Sequence, residues 1–319
     1  MIPLQQNLQQ SKGALVITGA TGWVGRTALQ QLIRQLTPSL IAQRVRLFAS
    51  RAGSLRLEDT TYPVHPLQAL PKLAAAEPLS AVLHTAFLTR DRLNAVGLDA
   101  YVDTNRWITR QVAQALELSP AARAVVISSG AASAVAHSAV IDSGLLARDP
   151  YGVLKREEEI LLADRAPSLV LRIYALSGYF IRDPHRFALG DFLLAALRQE
   201  PIRIQAPMPV LRGYGHAGDI AALAWRWLLV GAEPVATPLA TVSLNLDLLT
   251  LARRISYLYQ LPSVQAAVDP QAPPNRYVAD PAPFHAALAA HGLQPTGLDQ
   301  QLSDTMAGLM AQSDGTLIP

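Results

Sequence analysis

Residues 14–36, "ALVITGATGWVGRTALQQLIRQL", read as a strand, a glycine turn and a helix in direct succession. The apolar, β-branched run Ala14–Ile17 suits a buried strand. Gly19, Gly22 and Gly25 follow at three-residue spacing, and beyond them apolar residues recur every three or four positions, the period of a helix packed on one face. In such a turn Gly19 allows the tight reversal, Gly22 lets backbone approach a pyrophosphate, and Gly25 lets the new helix pack close to the strand. The free N–H groups and positive dipole end of that helix favour a phosphate. A glycine trio can also serve backbone geometry alone. Here a strand precedes it, an amphipathic helix follows, and a second strand, "RVRLFAS", ends where an adenosine ribose would lie, so dinucleotide binding is the better reading.

The same alternation continues through "AVLHTA", "AVVISS" and "SLVLRIY", separated by the helical patterns "AYVDTNRWITRQVAQAL" and "YGVLKREEEILLADR". It predicts an α/β fold: a Rossmann-like, doubly wound parallel sheet over residues 13–175, joined by part of 216–248. Residues 176–319, richer in proline, form mainly a smaller C-terminal α/β substrate-binding lobe, and residues 1–12 a flexible tail. Of the 319 residues 50% are hydrophobic and 16% charged, a balance that suits a globular enzyme rather than a disordered or fibrous chain. The net charge of +3 is scattered, which argues against nucleic acid as a partner. With 0 Cys there is no thiolate chemistry, and the seven histidines lie too far apart to suggest a metal site. The start "MIPLQQNLQQSKG" lacks the order of a signal peptide and no apolar run reaches bilayer length, so a cytoplasmic setting without a membrane partner is the expectation.

At the end of the second strand, Ala49 stands where an NAD site carries an acidic residue for the ribose hydroxyls, and Ser50 and Arg51 follow, able to bond and neutralise a 2′-phosphate. This favours NADP(H) over NAD(H), the alternative being that Arg51 is a solvated loop residue. Downstream, "DPYGVLK" sets Tyr151 and Lys155 four residues apart on one helical face, where an ammonium lowers the phenol pKa and makes Tyr151 a candidate acid/base. Tyr-x-x-x-Lys is common by chance. Ser129, closing "AVVISS", either bonds a substrate oxygen at a strand's carboxyl end or ends the strand through local turn bonds.

Glycine turn, Ser129, Tyr151 and Lys155, in that order, resemble the extended branch of the short-chain dehydrogenase/reductase superfamily, the NAD(P)-dependent epimerase/dehydratase type that acts largely on nucleotide sugars. "TGATGWVG" is similar to that branch's T-G-x-x-G-x-x-G, "HTAF" to its H-x-A-A, "DTNRW" to the segment with its helical asparagine, and "RGYGHAGDIA" to its R-x-x-x-H-V-x-D-x-A. The resemblance implies cofactor contacts from Thr18, Gly19, Thr21, Gly22, Trp23, Val24, Gly25, His84, Thr85, Ala86, Tyr151 and Lys155, beside Ser50 and Arg51. It implies catalysis by Ser129, Tyr151 and Lys155, with Asn105 positioning the lysine through ordered water, and a nucleotide phosphate at Arg212, for which a surface salt bridge is the equal alternative. A homodimer formed through the Asn105 and Tyr151 helices is a further implication.

The chain departs from that pattern in places: "VHPLQ" lacks the adenine-contacting Asp, Ile173 replaces a proline after Arg172, and Gly130 and Ala131 stand where 4,6-dehydratases carry Asp-Glu. The last argues against dehydratase chemistry. The leading expectation is reduction of a keto group on a nucleotide sugar. Its rivals are an epimerase using the cofactor transiently, a reductase of a non-sugar ketone, and a non-enzymatic redox sensor. Glu157, Glu158 and Glu159 read as a solvated helical face, His216 and Asp219 as packing and capping groups, and Trp225 and Trp227 as core.

Overall fold

The computed structural model describes residues 12–136, 143–231, 235 and 237–315. The tail expected over 1–12 lies outside them except for Lys12. The chain divides into two compact units, one of Met1–Arg172 with Ala221–Leu239, the other of Ile173–Ile220 with Ala240–Pro319.

The first unit is built on strands β1 (Ala14–Thr18), β2 (Val45–Ala49), β3 (Gly53–Leu57), β4 (Thr60–Pro66), β5 (Leu79–His84), β6 (Arg123–Ser129) and β7 (Ser168–Ile173). With the two-residue strand Leu239–Ala240 they form one eight-stranded sheet, ordered Leu239–Ala240, β7, β6, β5, β1, β2, β4, β3. β1 pairs in parallel with both β2 and β5, while β3 folds back antiparallel on β4. After β1 the chain builds outward through β2 and β4, then returns to lay β5 on the other side. The reversal falls between β1 and β5, and in such sheets the crevice at the strands' carboxyl ends is where ligands bind. The alternation predicts a doubly wound parallel sheet, and the sheet found is mostly parallel, with the β3–β4 pair antiparallel. The β3–β4 hairpin was not among the predicted strands, because at this edge only Leu55, Leu57 and Val64 are buried.

Helix α1 (Trp23–Gln35) buries Val24, Ala28, Leu29 and Leu32 against the sheet. Helix α2 (Leu98–Glu117) turns Tyr101, Asn105, Thr109, Val112 and Leu116 inward, the three- and four-residue spacing of a buried face. Helix α3 (Pro150–Ala163) starts where Asp149 accepts from the Gly152 amide at 3.1 Å and Pro150 takes the first position. Helix α4 (Ala217–Leu229) brings Trp225 into the first unit's core, fully buried, its indole N–H donating to Ala28 O at 3.0 Å. Trp227 is also buried, with the Arg123 guanidinium 3.8 Å over its ring. Among the described residues no helix is long and apolar enough to cross a membrane.

In the second unit, strand Val210–His216 pairs with Leu244–Asp247, Asn275–Tyr277 and Ala175–Ser177. Asp219 stands in the first turn of α4 rather than ahead of it. Its carboxylate accepts from the Thr296 amide at 2.8 Å and hydroxyl at 2.6 Å, holding a distant loop.

Candidate active site

At the end of β1 the backbone of Gly19 takes φ +66°, and a Cβ there would stand 2.6 Å from Thr85 Oγ1 and 2.7 Å from Ala86 N. Only glycine satisfies both conditions. A Cβ on Gly25 would stand 2.4 Å from Gly19 O, whereas one on Gly22 would meet only Gly19 O, at 3.2 Å. The turn is therefore closed on itself at Gly19 and Gly25 and open at Gly22, the residue preceding α1. The first turn of α1 carries no acidic side chain, so its amides and dipole keep their positive character. Thr21 and Trp23 are half-buried here and Val24 is buried. Thr85 hydroxyl donates to Thr18 O at 2.7 Å, locking the end of β5 to the turn, with Ala86 next in line. This geometry fits a dinucleotide phosphate.

β2 ends at Ala49, which pairs with Pro66, and Ser50 and Arg51 continue beyond it as exposed residues. His65 of "VHPLQ" stacks on Phe48 with ring centroids 5.6 Å apart, so an apolar contact occupies that strand end.

Ser129 closes β6, buried, and its hydroxyl oxygen accepts from the Ala131 amide at 3.2 Å. It is hydrogen-bonded to Tyr151, which stands in the first turn of α3. Phe87 meets the Tyr151 ring edge-on at 5.7 Å. Lys155, 4% exposed, donates to Ile127 O at 2.9 Å and to Glu158 Oε2 at 2.8 Å, with the Phe87 face 3.8 Å from its ammonium. The expected lowering of the tyrosine by this lysine is not what the structure contains. Burial pushes the Tyr151 phenol up, the Ser129 hydrogen bond opposes that, Glu158 and Asp149 add to the rise, and Arg90 counters them. The first cause is burial of the phenol, and the ammonium that would favour phenolate is paired with a carboxylate.

The solvated reading of the glutamate run is also corrected. Glu157 does sit at the surface, clasped by Arg106 through two bonds of 2.9 and 2.8 Å. Glu158 and Glu159 are buried, 1% and 2% exposed. Glu159 accepts from Ser128 at 2.6 Å and from two Arg172 nitrogens at 2.7 Å each, an ion pair binding α3 to β6 and β7. Glu158 accepts from Lys155 and His84, which together hold it below the usual carboxylate range although burial alone pushes it up. His84, expected at the cofactor, has both ring nitrogens engaged within this network, by Thr18 at 2.6 Å and Glu158 at 3.0 Å.

Asn105 is buried and its amide grips the segment after β5, accepting from Leu88 N at 2.8 Å and donating to Leu88 O at 3.2 Å and Tyr101 O at 3.1 Å. It positions the loop that carries Phe87. In the second unit Arg212 donates through one nitrogen to Leu211 O and to Asn275, and His216 lies 3.3 Å from Asp304. The residues that sequence reasoning missed are Phe87, Glu158 and Glu159. The signal for the glutamates is their spacing, since positions three and four after an inward Lys155 share its face.

No curated protein matches the chain. Among solved structures, MoeE5 in complex with UDP-glucose and NAD is 20% identical, with TM-score 0.64, covering 94% of this chain and 100% of that one. A UDP-N-acetylglucosamine 4-epimerase from Methanobrevibacter ruminantium M1, in complex with UDP-N-acetylmuramic acid, is 17% identical with TM-score 0.72, covering 95% and 99%. TunA, an NAD-dependent NDP-hexosamine 5,6-dehydratase involved in tunicamycin biosynthesis, is 15% identical with TM-score 0.67, covering 93% and 98%. At these identities they establish the fold. The family model described as NAD dependent epimerase/dehydratase family matches residues 15–237, well over half of the sequence. With the glycine turn at the β1–β5 reversal and the Ser129–Tyr151–Lys155 cluster beside it, the chain belongs to the NAD-dependent epimerase/dehydratase family.

Proposed function

We propose that this chain reduces a keto group on a nucleotide-linked sugar, drawing on NADP(H), with Tyr151 as the acid. The observation that carries the reading is the hydrogen bond between Ser129 at the end of β6 and the Tyr151 phenol, beside the buried Lys155. A group that holds its proton near neutrality is suited to give it to a developing alkoxide rather than to take one. When bound, the nicotinamide supplies the hydride. The chain's own residues do the rest: Ser129 and Tyr151 present two hydroxyls to one substrate oxygen, Tyr151 releases its proton there, and Lys155 and Asn105 fix the surroundings. The NADP preference rests on Ala49 in place of a carboxylate and on the exposed Arg51. A nucleotide-sugar substrate is supported by the ligands of the similar MoeE5 and 4-epimerase structures. Arg212 is the proposed phosphate contact. Exposed Trp107 on α2 and Ile160 on α3 support a homodimer, which size-exclusion at several concentrations checks, and a cytoplasmic setting belongs to the same reading.

NADPH consumption across a panel of keto-sugar nucleotides tests the proposal, with Tyr151→Phe expected to lower turnover by about 10²-fold or more while NADPH still binds. Retention of most turnover by that variant ends the reading. A second reading, epimerisation with a tightly held NAD, is favoured by the NAD bound in MoeE5. It takes first place if the purified protein carries nonexchangeable NAD and interconverts nucleotide sugars without net NADPH consumption.

A further inference from the structure

Behind the proposed acid runs a chain of buried polar contacts. Thr18 Oγ accepts from the Thr85 and Ala86 amides at 3.3 and 3.4 Å and is hydrogen-bonded to His84 Nδ1, 2.6 Å away. On the other side of the ring, Glu158 Oε1 accepts from His84 Nε2 at 3.0 Å. Glu158 Oε2 accepts from Lys155, whose ammonium also bonds Ile127 O and is covered by Phe87. His84 and Glu158 are each 1% exposed and Lys155 4%. A carboxylate so deep in the protein persists only where it is paired and hydrogen-bonded, and here both oxygens are.

We infer that Glu158 is a positioning residue of this site: it fixes the Lys155 ammonium, ties it through His84 to Thr18 at the glycine turn, and cancels the charge that Lys155 would otherwise present to Tyr151. The inference rests on the reading of Tyr151 as the acid. Around Tyr151 stand Ser129 from the end of β6, Arg90 from the segment after β5 with its guanidinium 5.5 Å from the ring, Tyr101 from α2, and Asp149, Lys155 and Glu158 from its own stretch of chain. Arg90 and Asp149 bond each other at 2.9 Å and so largely offset one another. Lys155 and Glu158 form the other pair. Removing Glu158's charge alone leaves a buried cation one helical turn from the phenol, which favours phenolate. Burial is the first cause that holds the phenol protonated, and Glu158 adds to it while pairing with Lys155.

The test is an ultraviolet tyrosinate titration of the full chain without substrate, each protein read against its own Tyr151→Phe partner so that the other tyrosines cancel. Glu158→Gln, which keeps the shape and one acceptor, is expected to bring the Tyr151 midpoint down by about one pH unit or more. The double variant Lys155→Met with Glu158→Gln, which removes both charges together, is expected to titrate like wild type. A wild-type phenol that stays protonated until alkaline unfolding counts as the upper midpoint. A folded Glu158→Gln protein with the wild-type midpoint overturns the inference. If that single variant does not fold, a double variant whose midpoint departs from wild type by as much as about one pH unit overturns it equally. The acid role of Tyr151 fails separately, by retained turnover in Tyr151→Phe, which this titration does not read.

Discussion

Gly25→Ala and Gly22→Ala separate two demands that the turn places on its glycines. At Gly25 the new methyl would lie 2.4 Å from Gly19 O, 2.8 Å from Ala20 Cα and 3.0 Å from Ala20 C, all backbone atoms. The nearest is about 1 Å short of ordinary contact, so the strand end and helix must part. Because all three neighbours are backbone, the upper part of the overpacking range applies, about 2–3 kcal/mol, from which the helix-propensity gain of alanine over glycine, about 1 kcal/mol, is subtracted. A net loss of about 1–2 kcal/mol remains, and at roughly 2–4 °C per kcal/mol the melting temperature falls by several degrees. At Gly22 the methyl meets one atom at 3.2 Å, and the backbone there has φ −79°, open to any residue. The loss of stability is then within about 1 kcal/mol, most of it the poorer N-cap. Because that methyl stands where backbone approaches a pyrophosphate, NADPH affinity falls by about tenfold or more. Differential scanning calorimetry and NADPH fluorescence titration read the two effects. A Gly25→Ala protein that melts with wild type, or a Gly22→Ala protein that binds NADPH with wild-type affinity, refutes the assignment.

Two further outcomes follow from the described geometry. Arg51→Ala is expected to weaken NADPH binding by about tenfold, the loss of one charge-assisted phosphate contact, while NADH binding stays unchanged in parallel titrations. Arg172→Met removes two of the bonds to buried Glu159, which keeps Ser128 and the Arg156 guanidinium at 3.0 Å, and is expected to cost about 2 kcal/mol in urea unfolding.

The turn was legible because Gly19 and Gly25 answer to backbone geometry at a spacing that the sequence records, and the strands β1, β5, β6 and β7 because they are nearly all buried, while β2, with only Leu47 and Phe48 buried, was legible from its β-branched and aromatic run after the first helix. The β3–β4 hairpin was not, since an edge strand exposes every other residue and its period extends over only two or three apolar positions. Tyr151, Lys155 and Ser129 were legible as types in order. Their electrostatics were not: the partner of Lys155 stands three residues on in what reads as a charged surface, and its second partner, His84, comes from β5, far off in sequence. Asn105 was found through resemblance, yet beyond Tyr101, one turn back on its own helix, its amide goes to Leu88 on another segment, which no spacing rule indicates. Charge runs on helices are read more safely by asking which member shares a face with an already inward residue.

The return of Trp225 to Ala28 has a consequence for synthesis. The first unit is discontinuous, and its core is missing a large side chain until residues well past 220 have left the ribosome. Chains released at Arg172 would lack both that indole and the outer strand Leu239–Ala240, leaving β7 as a raw edge. Maturation of the first unit therefore waits on much of the other unit's chain, and a fragment cut at the first boundary is expected to aggregate rather than bind nucleotide.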